Sequence, residues 1–129
     1  HEASMEYEYA WSTVELQLEC SSGKIVLRYL DELSPVDAVA LVDNEDLTGL
    51  MVWPCARLMA SYLIQNHCLV QSRFVVEFGS GAGLCGFVCS LLGSAAVVCT
   101  DFSPEALGLL EGNRRINEEA CPSLRVQKL

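Results

Sequence analysis

Residues 75 to 86 read Val75-Val76-Glu77-Phe78-Gly79-Ser80-Gly81-Ala82-Gly83-Leu84-Cys85-Gly86, and no other stretch restricts the possible folds as much. The apolar run that stops at Phe78 predicts a short buried strand over Phe74 to Phe78. Leu84 to Leu92 predicts a helix so apolar all round that it must be covered on most sides. Glycines at a strand-to-helix turn permit positive φ and let a ligand come close to the main chain, at the sheet edge where α/β folds hold cofactors.

The flanking elements extend the pattern. Ala95 to Thr100 is rich in β-branched residues and predicts a second buried strand. Ser103 is a good N-cap, with Pro104 at the first helical position and Glu105 near the positive helix end, for a helix reaching Asn117. Pro122 ends that connection, and Leu124 to Leu129 starts a third strand. Upstream, a helix begins near Trp53 with Pro54 in its first turn and runs to about Gln65, with an apolar face of Ala56, Met59, Ala60 and Leu63. Further upstream, alternation over Thr13 to Leu18 and Ile25 to Leu30 flanks Ser21-Ser22-Gly23-Lys24 and predicts a β-hairpin. Residues 31 to 47, around Pro35, read as a loop. Strand, glycine turn, helix, strand, helix, strand begins a Rossmann-like, doubly wound parallel sheet of the α/β class, here its N-terminal half preceded by a hairpin. Residues 1 to 12 read as an N-terminal tail whose first four residues resemble a vector-derived scar. Residues 13 to 129 read as one domain, with the hairpin over 13 to 30 and a binding half over 48 to 129.

Composition closes off several function classes. Of 129 residues, 51% are apolar and 19% charged, which is enough to bury a core and too hydrophobic for disorder. The apolar stretch at Leu84 to Leu92 breaks well short of a membrane span, and no basic-then-apolar leader opens the chain. These features lead us to expect a soluble protein of the cytoplasm, with the nucleus as the other compartment open to it. The net charge of −9 lies wholly in residues 1 to 46, which hold eleven acids and two bases; the remainder holds six of each. Arg114-Arg115 is the one basic pair, so clustered contact with nucleic-acid phosphates is disfavoured. The acidic segment reads as a solvated N-terminus, or as one that steers a basic partner. Seven cysteines, at 20, 55, 68, 85, 89, 99 and 121, show no C-x-x-C pair and no zinc spacing, so no metal is expected and a reducing compartment is. Cys85 and Cys89 share one helix face and read as small core residues. His1 and His67 lack the Ser, Cys and acid neighbours of a histidine-dependent hydrolase.

The glycine segment holds two overlapping patterns. From Gly81, G-A-G-L-C-G fits the dinucleotide fingerprint, with Asp101 as the ribose-binding acid, and points to a nicotinamide-dependent oxidoreductase. From Glu77, E-F-G-S-G-A-G is an acid at a strand end followed by G-x-G-x-G, and it uses every residue of the turn. This second pattern, with Thr100-Asp101 ending the next strand, resembles motif I and the acidic second-strand position of class I S-adenosylmethionine-dependent methyltransferases. Thr48-Gly49-Leu50-Met51-Val52-Trp53-Pro54-Cys55-Ala56 and the Asn113 to Asn117 spacing resemble the lysine-methyltransferase-like branch, methyltransferase family 16.

That resemblance implies S-adenosyl-L-methionine as cofactor, S-adenosyl-L-homocysteine as product, and a protein substrate, most plainly a lysine amine. It implies that Gly79, Gly81 and Gly83, with Ser80 among them, line the methionine part of the cofactor, and that Glu77 helps hold its amino group. Asp101 would accept from the ribose hydroxyls, Phe102 would lie against the adenine, and Trp53 would cover the site. The plainer alternatives are a helix-entry acid for Asp101 and core packing for Trp53. Gly86 and Gly93 read as packing and turn positions, and Asn113 and Asn117 as helix-end residues. Residues that orient the acceptor are expected beyond Leu129, so no catalytic residue is nominated. A non-catalytic cofactor-binding or interaction module is the remaining class. A complete fold of the implied kind has about seven strands, so we expect this chain to be one part of an enzyme, with an open edge on its first sheet strand that invites self-association.

Overall fold

The computed structural model describes residues 11–19, 23–31 and 47–129. The expected loop after residue 31, the hairpin turn at Ser21-Ser22 and the first ten residues lie outside the described residues. Strands β3 (Phe74–Phe78), β4 (Ala96–Asp101) and β5 (Leu124–Lys128) form a parallel sheet in that order. Helix α2 (Leu84–Leu91) connects β3 to β4, and α3 (Pro104–Ile116) connects β4 to β5. Each strand is added on the same side of the last and parallel crossovers are right-handed, so both helices must fall on one face of the sheet. That face carries Val75, Val97, Cys99, Leu124 and Val126, packed in one cluster with Phe87, Val88 and Leu110.

The other face of β3 is bare. Phe74 is 85% exposed and Phe78 73%, so the strand expected to be buried is covered on one side only. Its outer edge has no partner strand among the described residues. The reason is topological, because helices reach the second face of such a sheet only where the strand order reverses, and these three strands run one way.

Close approach of α2 to the sheet requires Gly86. A Cβ there would collide with Cys99 Sγ and would lie 3.3 Å from Glu77 Oε1. Helix α3 starts as its sequence dictates: Ser103 Oγ accepts from the Ala106 N–H at 3.3 Å and donates to Glu105 at 2.9 Å. Helix α1 (Pro54–Gln65) opens with Trp53 at its N-cap and packs on α2. Ala56, Ala60, Leu63 and Ile64 supply its core face. Met59 does not join them; it is exposed on the flank that looks onto the glycine loop.

The hairpin pairs β1 (Trp11–Gln17) with β2 (Lys24–Leu30), and Ile25 and Leu27 complete the main core from the far side of α2 and α3. It begins at Trp11, two residues earlier than the alternation suggests, with the Arg28 guanidinium 4.4 Å over the Trp11 ring. Two asparagines hold it down. Asn117 accepts from the Val26 N–H and donates to the Val26 carbonyl, both at 2.8 Å. Asn113 makes the same pair of bonds with Arg28, both at 2.9 Å. Both do stand at the end of α3, Asn117 as its C-cap, and the structure adds a second role: they are buried, and their amides serve the free edge of β2 as a neighbouring strand would.

Gly86→Ala should overpack the α2–β4 contact and cost about 1–3 kcal/mol. In chemical denaturation the cost should shrink when Cys99→Ala is added. Equal costs in both backgrounds would show that Cys99 is not what Gly86 accommodates.

Candidate functional site

The turn after β3 is built from glycines in the left-handed region, with φ of +66° at Gly79, +56° at Gly81 and +93° at Gly83. Space matters differently at each. Gly79 has nothing within 4 Å of where a Cβ would stand, Gly81 would strike the Gly49 carbonyl at 2.9 Å, and Gly83 would meet Leu110 and Phe87 at 2.8 Å. Gly79 therefore leaves an open cradle, while Gly81 and Gly83 let neighbouring elements close in.

Strand β4 holds this loop in place. Ser80 donates its N–H to the Thr100 carbonyl at 2.8 Å, and its Oγ accepts from the Thr100 N–H at 3.1 Å. Asp101 is buried at the end of β4; Oδ2 accepts from the Gly81 N–H at 3.1 Å. Oδ1 accepts from the N–H groups of Phe102 and Ser103 at 2.9 and 3.1 Å. Asp101 is thus a helix-entry acid on one oxygen and a loop tether on the other. A carboxylate has about four lone-pair sites, so capacity for a further donor remains, chiefly on Oδ2.

Against the loop lies a cavity of about 400 Å³. Trp53, Glu77, Gly79, Ser80, Gly81, Gly83, Asp101 and Phe102 all line it, so every nominated residue converges on one space. Trp53 is half exposed at the rim, its Nε1 donating to the Thr48 carbonyl at 3.0 Å, which removes the core-packing reading. Phe102 is exposed as well. Thr48, Gly49, Met51, Met59 and Cys85 also form walls and were not nominated from sequence. Gly49, four residues before Trp53, carried the signal that could have found the first three.

Glu77 is the electrostatically unusual group. Its Oε1 is buried and has no hydrogen-bond partner among the described residues. Burial pushes its carboxyl pKa above the ordinary 4.5, and the Ser80 side chain and the Gly86 N–H act in the opposite sense. Burial also pushes the Cys85 thiol up to about 12 and Cys89 to about 11, with Glu77 adding to both shifts, which disfavours the thiolate at both. Among the described residues no group of three His, Cys, Asp or Glu side chains could hold a metal, and no helix is long and apolar enough to cross a membrane.

The profile of a lysine methyltransferase family matches residues 38–129. The chain belongs to this lysine methyltransferase family. It is 46% identical over 77 residues to the "Protein N-terminal and lysine N-methyltransferase EFM7" of Cryptococcus neoformans, covering 60% of this chain and 25% of that protein. It is 37% identical over 71 residues to the human "Protein-lysine N-methyltransferase EEF2KMT", covering 54% of this chain and 22% of the relative. The mouse "Protein-lysine methyltransferase METTL21E" is 38% identical over 78 residues, covering 58% and 31%. The chain thus spans about a fifth to a third of the length of these relatives. Among solved structures, PH1948 of Pyrococcus horikoshii, provisionally assigned as an RNA methyltransferase, matches with a TM-score of 0.50 at 21% identity, covering 70% of this chain and 48% of that one. That likeness establishes the shared fold of the family member.

A carboxyl whose folded-state pKa is raised stabilises the fold below the unfolded value and loses that contribution as pH rises toward the folded one. Stability should therefore fall from pH 4.5 upward through the Glu77 titration. Glu77→Gln should flatten that slope in thermal melts. A slope unchanged by the substitution would place the titration elsewhere.

Proposed function

We propose that the chain is the cofactor-binding half of an S-adenosyl-L-methionine-dependent methyltransferase that methylates protein, on lysine nitrogen. The observation that carries the reading is the buried, unpartnered oxygen of Glu77, a residue that lines the same cavity as the open glycine turn. A desolvated carboxylate oxygen is costly unless a donor or cation reaches it, and a ligand ammonium satisfies that need. Family membership and the names of the relatives support protein lysine as acceptor.

In this reading Glu77 accepts from the amino group of the cofactor's methionine, whose chain lies against the backbone of Gly79 to Gly83. Asp101 accepts from ribose hydroxyls with the lone pairs its backbone donors leave free. Phe102 lies along the adenine, and Trp53 and Met59 close the rim and exclude water. When bound, the cofactor supplies a methyl already activated on a sulfonium, so the protein mainly orients and desolvates. An acceptor amine must be neutral to attack, and burial at this apolar rim favours its neutral form.

The six described cysteines are all free thiols, which supports a reducing compartment such as the cytoplasm. The pair Arg114-Arg115 faces Glu111, at 2.6 and 3.5 Å, which offsets part of its charge.

Calorimetry with S-adenosylhomocysteine and with NAD tests the reading directly. S-adenosylhomocysteine alone should bind, and Asp101→Ala should weaken it roughly tenfold to a hundredfold, the loss of a hydrogen bond to a charged group. Binding of NAD alone would return the chain to the dinucleotide reading.

A further inference from the structure

The Ala82–Gly83 peptide stands where the glycine loop becomes α2, and both of its polar ends are held. Its N–H donates to the Ser80 carbonyl at 2.9 Å, within the loop. Its carbonyl accepts from Asn113 Nδ2 at 3.0 Å, from α3. The plane of this peptide fixes the +93° φ of Gly83, and with it the course of the loop into α2.

Asn113 is wholly buried and both of its amide hydrogens are committed. One goes to Ala82, the other to the Arg28 carbonyl, while Oδ1 takes the Arg28 N–H. A single side chain therefore joins the hairpin edge to the loop that bounds the cavity. Asn117, one turn later, is its natural control. It makes the same pair of bonds to Val26, but its remaining hydrogen goes to the Asn113 carbonyl at 2.7 Å, and it does not touch the loop.

We propose that Asn113 is a positioning residue: it holds the glycine loop in its ligand-receiving geometry and makes that geometry depend on the docked hairpin. The ligand arm of this inference rests on the cofactor reading above. Other tethers, Asp101 on Gly81 and Thr100 on Ser80, hold the loop from β4. Asn113 holds it from α3, at the opposite end, and is the tether that reports on the hairpin. By reciprocity, whatever seats against the loop must also steady the hairpin.

Amide hydrogen exchange and S-adenosylhomocysteine titration on the full chain, comparing Asn113→Ala with Asn117→Ala, separate positioning from mere stability. Both variants should lower the melting temperature. After allowance for global stability, Asn113→Ala alone should speed exchange at Gly81 and Gly83 roughly threefold to tenfold, the scale of one neutral hydrogen bond. It should weaken S-adenosylhomocysteine by a similar factor while Asn117→Ala leaves affinity near that of the unaltered chain. Equal effects of the two variants on loop amides, or none from Asn113→Ala, would overturn the proposal. Should Asn113→Ala fail to fold, exchange of the unaltered chain in low denaturant decides: Arg28 and Gly83 must open as one unit, and separate opening refutes the coupling. Failure of the unaltered chain to bind S-adenosylhomocysteine would sink the cofactor reading and leave the ligand-free exchange to decide positioning.

Discussion

Four residues of α-helix rise about 6 Å, and two residues of β-strand advance about 6.6 Å. Asn113 and Asn117 on α3 exploit that near match, meeting Arg28 and Val26 on β2 with paired donor and acceptor bonds. The edge of β2 is thereby closed by side chains rather than by a strand, and Leu30 continues the closure through its bridge to Met51. Everything above the helices follows from this contact. A slip of one residue would turn Ile25 and Leu27 out of the core and break all four bonds at once, so register, burial and polar satisfaction agree on one arrangement.

The same helix meets the cavity at its other end. Asp101 precedes α3 and grips the loop through Gly81, while Asn113 grips it through Ala82. The loop's unusual backbone is held by β4, α3 and the close packing of Gly49. Glycine enters the left-handed region without steric cost, so these contacts select the loop's course among conformations that are all open to it.

Much of this was legible from local chemistry. Pro54, the Ser103 cap and the glycine turn each announce themselves within a few residues, because their causes are local. Asn113 and Asn117 do not: an asparagine near a helix end has an ordinary capping reading, and the strand that they bind lies more than 80 residues earlier. Met59 recurs with the right period but stands at the margin of its helix face, where tertiary packing turns it to the cavity rather than the core. β3 misled for another reason. Apolar residues on both of its faces state what needs covering, and the one-directional strand order decides what is covered.

The lone Glu77 oxygen carries a consequence for the population of folded molecules. A buried carboxylate oxygen without a partner costs free energy in the ligand-free state, only part of which the contacts of Glu77 with Ser80 and the Gly86 N–H offset. A ligand that binds only the native state adds stability in proportion to the logarithm of its concentration over Kd. Under the cofactor reading proposed above, the occupied chain would therefore be more stable than the empty one.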